Sequence, residues 1–578
     1  VREAGWFAAA LLLVTLGSCE QSTLLADIQK DVNLASETIE APTFTPKGGV
    51  FRWYPPSVTI STPTKGASLF YSTDGSPLVF NNLGQTKDTT FRSETNSFTF
   101  GPVNFPTYRV WHTLRALAWR DGKTSGETQA RFGIAGDGGV RWAQATLVPT
   151  TGRTTGVAQG IDETVYAVGW ISTPDEKTQG FLVQLDKEGN TLSGPYYFPA
   201  PSKVTAAATD SYGNLYVIGT NPNGFLAKYT PKAAPAGLER QWMVESDKAV
   251  DFSGLALFAS GASVYALIVG TIPADTVSPV TLRSADSSGA LAKIIPLYKT
   301  GRTGILTKYL VHDATNPNKA GAVLDAGISS EPAGDDWFQS VAAAPSGAFA
   351  LVGGFKPATS PINFGGQMVT GTLGRRNPLI LSGNASSGLN LNWSRSAIAQ
   401  GPADGELTAV AINPSSGEVA VAGFQEGIIP WDWGAGKLYN GPSAGKNTVL
   451  AAYFSGGNVS GVGGGFGSTE DSVLSALVYG NFNPQFQGRP LYVVGSLASG
   501  GASFLIKFSG PPHYIMWTRR IGSPEGSILY SSLATNPNPT DKLVIGGALG
   551  DKAVDFGTGG ILQTGKPGES ALVLQVFD

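Results

Sequence analysis

Apolar residues follow two spacings along this chain. The first is strict alternation. Across Ser57–Ser61, Val58 and Ile60 fall on one side and Thr59 and Ser61 on the other, and Leu114–Trp119 alternates in the same way. Successive side chains of an extended strand point to opposite faces, so both segments predict strands with one face against a core. Ser68–Tyr71 predicts a further strand. Thr73-Asp74-Gly75-Ser76-Pro77 and Asp121-Gly122-Lys123 predict tight turns, in which Asp caps the backbone and Gly supplies φ > 0.

The second spacing starts near residue 140 and repeats. Val204–Lys228 reads VTAAATDSYGNLYVIGTNPNGFLAK and Leu407–Gly423 reads LTAVAINPSSGEVAVAG. Each copy has an alternating strand, a polar turn with Gly, a Val- or Tyr-rich strand and a closing Gly. The phrase returns at Val157–Gly169, Leu255–Gly270, Ser340–Gly353, Leu474–Gly495 and Leu529–Gly546. A third strand follows, as in Gly180–Leu185, Gly224–Tyr229, Gly304–Tyr309 and Ser503–Phe508, and a fourth often carries tryptophan: Trp242, Trp393 and Trp517.

Seven copies of a four-stranded unit predict a β-propeller over residues 140–578, with radial blades that bury both faces of each sheet. The seventh copy has no tryptophan strand after Val573–Phe577, and Val140–Ala145, with Trp142, has no first three strands of its own. Pairing the two would complete the last blade and remove an open edge. A plain linker strand is the other reading. Residues 271–303 would be an excursion within the third blade.

Before these strands Arg2 precedes an uncharged run, Ala4–Leu16, then Gly17, Ser18 and Cys19. That run is too short for a spanning helix and suits the apolar part of a secretion signal. Leu16-Gly17-Ser18-Cys19 resembles the bacterial lipobox. The resemblance implies a signal peptide over 1–19, a diacylglyceryl group on the Cys19 thiol and a polar tether over 20–40. Cys19 is the sole cysteine, so the reading also accounts for cysteine use. An ordinary signal peptide with a chance cysteine is the alternative.

Two further resemblances rest on longer stretches. Pro42-Thr43-Phe44, Ser57-Val58-Thr59-Ile60, Phe70-Tyr71-Ser72-Thr73-Asp74-Gly75-Ser76-Pro77 and Leu114-Arg115-Ala116-Leu117-Ala118 make residues 41–134 similar to the chitobiase/β-hexosaminidase C-terminal domain family, with a longer middle at Asn81–Arg109. This implies an immunoglobulin-like β-sandwich and confers no chitinase activity. Asp210-Ser211-Tyr212-Gly213-Asn214-Leu215-Tyr216-Val217-Ile218-Gly219 resembles the bacterial propeller repeats of the SBBP type. Ile362-Asn363-Phe364-Gly365-Gly366 and Val554-Asp555-Phe556-Gly557 resemble the Asp-Phe-Gly linkers of related repeats.

Composition agrees with an all-β chain: 75 Gly and 37 Pro among 578 residues, with 14% charged. Net charge is −3 without a basic block, which argues against nucleic acid as a partner.

Candidate chemistry is sparse. Gly441-Pro442-Ser443-Ala444-Gly445 fits Gly-x-Ser-x-Gly but falls in a glycine-rich loop, whereas a nucleophile elbow needs a strand before it and a helix after it. His112, His312 and His513 fall in different units, and no ligand spacing for a transition metal occurs. Asp186–Asn190 has the look of a calcium loop and equally of an ordinary hairpin turn. Asp335-Asp336 and Glu470-Asp471 precede first strands of blades, where paired carboxylates would suit acid–base work and blade-entry loops are in any case polar. Trp53, Tyr54, Trp111 and Trp119 form a possible sugar-stacking set, and the same positions suit core and edge aromatics of a sandwich.

These observations predict an all-β protein: a small immunoglobulin-like sandwich followed by a seven-bladed propeller. The expected function is non-catalytic binding or display in the bacterial cell envelope, periplasmic or surface-exposed. The expected partners are the membrane, through the N-terminal lipid, and an envelope protein or a glycan. No catalytic residue, metal or cofactor is assigned. The alternatives are a secreted propeller enzyme (a polysaccharide lyase or hydrolase) with acids, His or Tyr converging on its channel, and a structural envelope scaffold.

Overall fold

The computed structural model describes residues 38–52, 57–87, 89–100, 111–135, 139–145, 147–232, 237–276, 278–285, 292–295, 301–328, 334–464, 472–481, 488–497, 503–509, 513, 515–521, 528–535, 542–551, 554–556, 561–562 and 570–577. The chain forms two compact units that divide after Ile134.

The first unit is a pair of antiparallel sheets. Thr43–Thr45, Val58–Ser61 and Ser97–Phe100 make a three-stranded sheet, and Gly49–Arg52, Ser68–Ser72, Phe91–Ser93, Trp111–Arg120, Lys123–Thr124 and Thr128–Ala135 make the second. The alternation read from the sequence is the burial pattern: Val58 and Ile60 are fully buried while Thr59 and Ser61 are half-buried. Phe44, Val58 and Ile60 of one sheet share a core with Leu69, Leu114, Ala116, Ala118 and Phe132 of the other.

The second unit is a propeller of seven four-stranded antiparallel blades. Blade 1 spans residues 152–197, blade 2 203–245, blade 3 251–328, blade 4 334–395, blade 5 405–464 and blade 6 472–521. Blade 7 takes three strands from 528–577 and its outer strand from Val140–Gln144, which pairs antiparallel with Ser570–Phe577. The chain thus closes its ring with a strand that precedes blade 1, which covers the edge that Ser570–Phe577 would otherwise leave open.

Each blade buries its middle strands on both faces, which is why Leu491–Leu497 and Ser570–Phe577 read as near-continuous apolar runs. The core is accordingly divided among the joints between blades. One apolar cluster sits at each of the seven, from Val168, Leu182, Val204 and Phe225 between blades 1 and 2 to Val183, Val544 and Val573 between blades 7 and 1.

One device recurs in every innermost strand. A β-bulge falls at Thr155, Thr205, Ser253, Gln339, Thr408, Ser475 and Ser531. A bulge leaves one residue unpaired and bends the strand. At five of the seven bulges the unpaired residue gives its hydroxyl to the next blade. Thr155 Oγ1 donates to the Val204 carbonyl at 2.6 Å, Thr205 Oγ1 to Phe252 at 2.7 Å, Ser253 Oγ to Phe338 at 2.7 Å and Thr408 Oγ1 to Leu474 at 2.5 Å. Ser531 Oγ donates to the Thr154 carbonyl and carries the belt from blade 7 back to blade 1. In each case the acceptor is the residue just before the next blade's bulge. Gln339 breaks the pattern by giving its amide to the buried Glu406 carboxylate at 3.0 Å.

The same bulge explains the closing glycine of each repeat. Gly423 lies opposite Leu407, and a Cβ there would sit 2.0 Å from the Glu406 carbonyl oxygen. Gly169, Gly219, Gly270, Gly353 and Gly495 hold the same station, and in blade 7 the register places Gly547 there rather than Gly546.

Candidate functional site

Of the residues singled out in the sequence, Cys19, Trp53, Tyr54 and the Glu470-Asp471 pair lie outside the described residues. Trp111 begins the strand Trp111–Arg120 and pairs with Gly133; its side chain is likewise outside the description. Trp119 is half-buried on the same strand. Its ring meets Phe70 edge-on at 6.1 Å, and the Arg92 guanidinium lies 5.1 Å from it.

The channel along the propeller axis has a volume of about 520 Å³ and is lined by the innermost strands of all seven blades. Bulge hydroxyls and small residues such as Gly156, Ala206, Gly254, Ala409 and Ala476 face it. Tyr479 is the one titratable group among its described lining residues, and its hydroxyl is given to Glu418 at 3.0 Å.

Up-and-down blades put their 1–2 and 3–4 turns on one face and their 2–3 and 4–1 connections on the other. The turn-bearing face holds two polar clusters. In the first, Asp210 caps the turn that follows the inner strand of blade 2. It accepts from the backbone of Tyr212 and Asn214 and from the Tyr216 hydroxyl at 2.8 Å. Lys228 Nζ lies 3.3 Å from His312 Nδ1, and the half-exposed Tyr212 ring sits 4.3 Å from the His312 ring. Burial pulls the Lys228 ammonium down against the opposing charge of Asp210; burial and then Lys228 pull His312 down.

The second cluster joins blades 5 and 6. Glu418, nearly enclosed, has its Oε1 3.2 Å from His513 Nε2 and accepts from Tyr479 and, at 3.3 Å, from Ser460. Burial pushes its carboxyl up, but His513, Tyr479 and Ser460 together hold it below the ordinary value.

Other candidates take structural positions. Asp336 Oδ1 accepts from the Gly304 N–H and Asp335 Oδ1 from the Arg302 N–H, so this pair ties blade 4 to the third strand of blade 3. Ser443 bonds Asn447 at 2.9 Å ahead of the strand Lys446–Tyr453, where a nucleophile elbow would need a helix. Asp186 accepts from the backbone of Glu188 and Asn190, which is hairpin capping. Among the described residues no three His, Cys, Asp or Glu side chains gather as metal ligands would.

The opposite face carries inserts whose exposed aliphatics the sequence did not single out. Blades 3, 4, 5 and 7 each insert a small antiparallel sheet between their second and third strands: Val280–Leu282 with Lys293–Ile295, Ile362–Phe364 with Gln367–Val369, Pro430–Asp432 with Leu438–Asn440, and Val554–Asp555 with Ile561–Leu562. The two segments that resemble Asp-Phe-Gly linkers each supply the first strand of one of these inserts. Their apolar residues sink inward. Phe364, Trp431 and Trp433 are buried, and Trp433 Nε1 donates to Gln425 Oε1 at 3.1 Å.

Aliphatics in and beside three of these inserts do the reverse. Ile294 is 67% exposed, Met368 58%, Leu373 59%, Ile428 64% and Leu438 51%. These aliphatics sit on three consecutive blades of one face. The legible signal was length, since 358–376 and 427–445 are too long for hairpin turns.

No protein family and no curated protein matches this sequence. Among solved structures, the chain is similar to Sqt1 of Chaetomium thermophilum bound to the N-terminus of ribosomal protein L10, at 11% identity and a TM-score of 0.39 over 74% of this chain and 98% of that one. It is similar also to Sqt1 of Saccharomyces cerevisiae (11% identity, TM-score 0.37, 76% of this chain and 99% of that one) and to the Dos1 propeller (10%, 0.38, 75% and 95%). The blades and their pairing make the chain an all-β propeller protein with a small two-sheet unit before it.

Proposed function

We propose that this chain is a non-catalytic recognition protein of the bacterial envelope, anchored by lipid on Cys19, whose insert-bearing propeller face meets another envelope protein. One observation carries the reading. The same inserts that bury Phe364, Trp431 and Trp433 hold Met368, Ile428 and Leu438 out into solvent. Each such aliphatic is worth about 1.5–3 kcal/mol once fully covered. Exposed aliphatics grouped on one face mark a protein contact, and a glycan would ask for aromatic platforms. The likeness of 41–134 to the chitobiase C-terminal family and of the blades to SBBP-type repeats belongs to this proposal, as does the tether over 20–40.

A second reading has its own observation. Tyr212, its ring tilted against His312 and half-exposed on the turn-bearing face, offers a platform of the kind sugars use.

The test is capture of partners from native envelope by the intact protein and by a Met368→Glu/Ile428→Glu variant. Loss of a partner in the variant, with unchanged thermal unfolding, is the expected result. Equal capture by both proteins would reject the face.

A further inference from the structure

The rim of the insert-bearing face holds an open cavity of about 390 Å³ between blades 2 and 3. Arg240, Met243 and Glu245, on the outer strand of blade 2, form one wall, and Arg283, at the turn end of the first hairpin strand of blade 3, forms the other. Neither guanidinium has a carboxylate partner among the described residues. Arg240 reaches only Met243 Sδ, at 3.7 Å, and Arg283 is exposed. Leu282, which precedes Arg283, pairs with Lys293, so a third cation stands on the neighbouring strand. Ile294 comes next and is 67% exposed. Two guanidinium groups thus share one cavity with the carboxylate of Glu245.

We infer that this cavity seats a carboxylate side chain from an acidic, aliphatic segment of the partner protein. A guanidinium fork matches a carboxylate through two parallel N–H···O bonds, and two unpaired forks at one cavity lack that ligand. The apolar lining beside them, Met243 and Val244, is aliphatic and suits a peptide side chain. The inference rests on the reading of this face as a protein-binding surface and names the chemistry of what it binds.

The test starts with selection of a random peptide library on the intact protein and on an Arg240→Ala/Arg283→Ala variant. Both arginines are exposed, and thermal unfolding checks that the variant keeps its fold. The wild type is expected to enrich peptides with Asp or Glu beside Leu, Ile or Val. A synthetic copy of the leading peptide should bind the variant at least about tenfold more weakly, a 1.4 kcal/mol difference. It should lose affinity as salt is raised, and its Asn/Gln counterpart should bind as weakly.

No enrichment, the same peptides selected by the variant, or equal binding of the amide counterpart would overturn the inference. So would competition by polyglucuronate in place of any peptide, which would assign the cavity to an acidic sugar. Envelope capture separates the two readings. Loss with Met368→Glu/Ile428→Glu but not with the arginine variant keeps the face and removes the cavity. Full capture by both variants removes the face.

Discussion

Trp142, on the strand that completes the last blade, donates its indole N–H to the Lys187 carbonyl of the first blade at 3.0 Å. Trp393 repeats the relationship, donating to Ser455 of the next blade at 2.9 Å. These two outer-strand tryptophans latch onto the 3–4 turn of the neighbouring blade, Trp142 across the closure of the ring, whereas the buried indole N–H groups of Trp242 and Trp517 make no such bond among the described residues. Trp142→Ala should cost about 3–5 kcal/mol, the range for a large buried aromatic. Denaturant unfolding of the intact protein reads the loss. A change under 1 kcal/mol would show that closure does not depend on this side chain.

The latch sets a demand on the turn it meets. Gly457 has φ +81° and a Cβ there would lie 2.8 Å from Trp393 Cδ2; Gly213 has the same φ with nothing within 4 Å. Both positions strain an alanine backbone by about 1–2 kcal/mol. Gly457→Ala must also displace Trp393, so it should destabilise by clearly more than Gly213→Ala. In a Trp393→Ala background the difference should shrink, because neighbouring substitutions couple. Equal effects in the wild type would mean that the tryptophan yields freely.

The hydroxyl belt predicts a chemical distinction at one site. Thr205→Val keeps shape but removes the donor to the Phe252 carbonyl, and should cost about 1–2 kcal/mol. Thr205→Ser keeps the donor and should cost little. Unfolding midpoints of the two variants decide the matter, and similar losses would point to packing rather than to the hydrogen bond.

Much of this was legible in the sequence because each repeat states it again. The closing glycine follows from local geometry that every blade shares, and the tryptophan of several outer strands pointed to the orphan strand Val140–Ala145 as one of them. The register at Gly546 and Gly547 was off by one. Two adjacent glycines leave the strand pattern unchanged, and only the bulge at Ser531 selects between them. The joining of Arg240 to Arg283, or of Glu418 to His513, was not legible. Each pair comes from different blades, and no repeat pattern records what one blade's turn meets on the next. Aliphatics on the inserted hairpins were hidden for a related reason, since insertions interrupt the periodicity that sets inside from outside.

The blade 5–6 joint should respond to pH. The Glu418 carboxyl lies below its ordinary value in the folded chain. The native state then binds that proton less readily than the unfolded chain, which titrates near about 4.3. Its contribution is complete above that pH and declines as pH falls through the lower folded value. Glu418→Gln should lose about 2 kcal/mol at neutral pH, the scale of a hydrogen bond to a charged group. It should also flatten the fall in stability on acidification below pH ~4. A parallel acid profile in wild type and variant would count against the cluster.

The central claim, that the insert-bearing face is the recognition surface, is tested most directly by site-specific photocrosslinking in native envelope. A photoreactive residue would replace Met368 in one protein and Tyr212, on the opposite face, in another. The account predicts a discrete protein adduct from position 368 and none from 212. Adducts from 212 alone would contradict it and move recognition to the turn-bearing face.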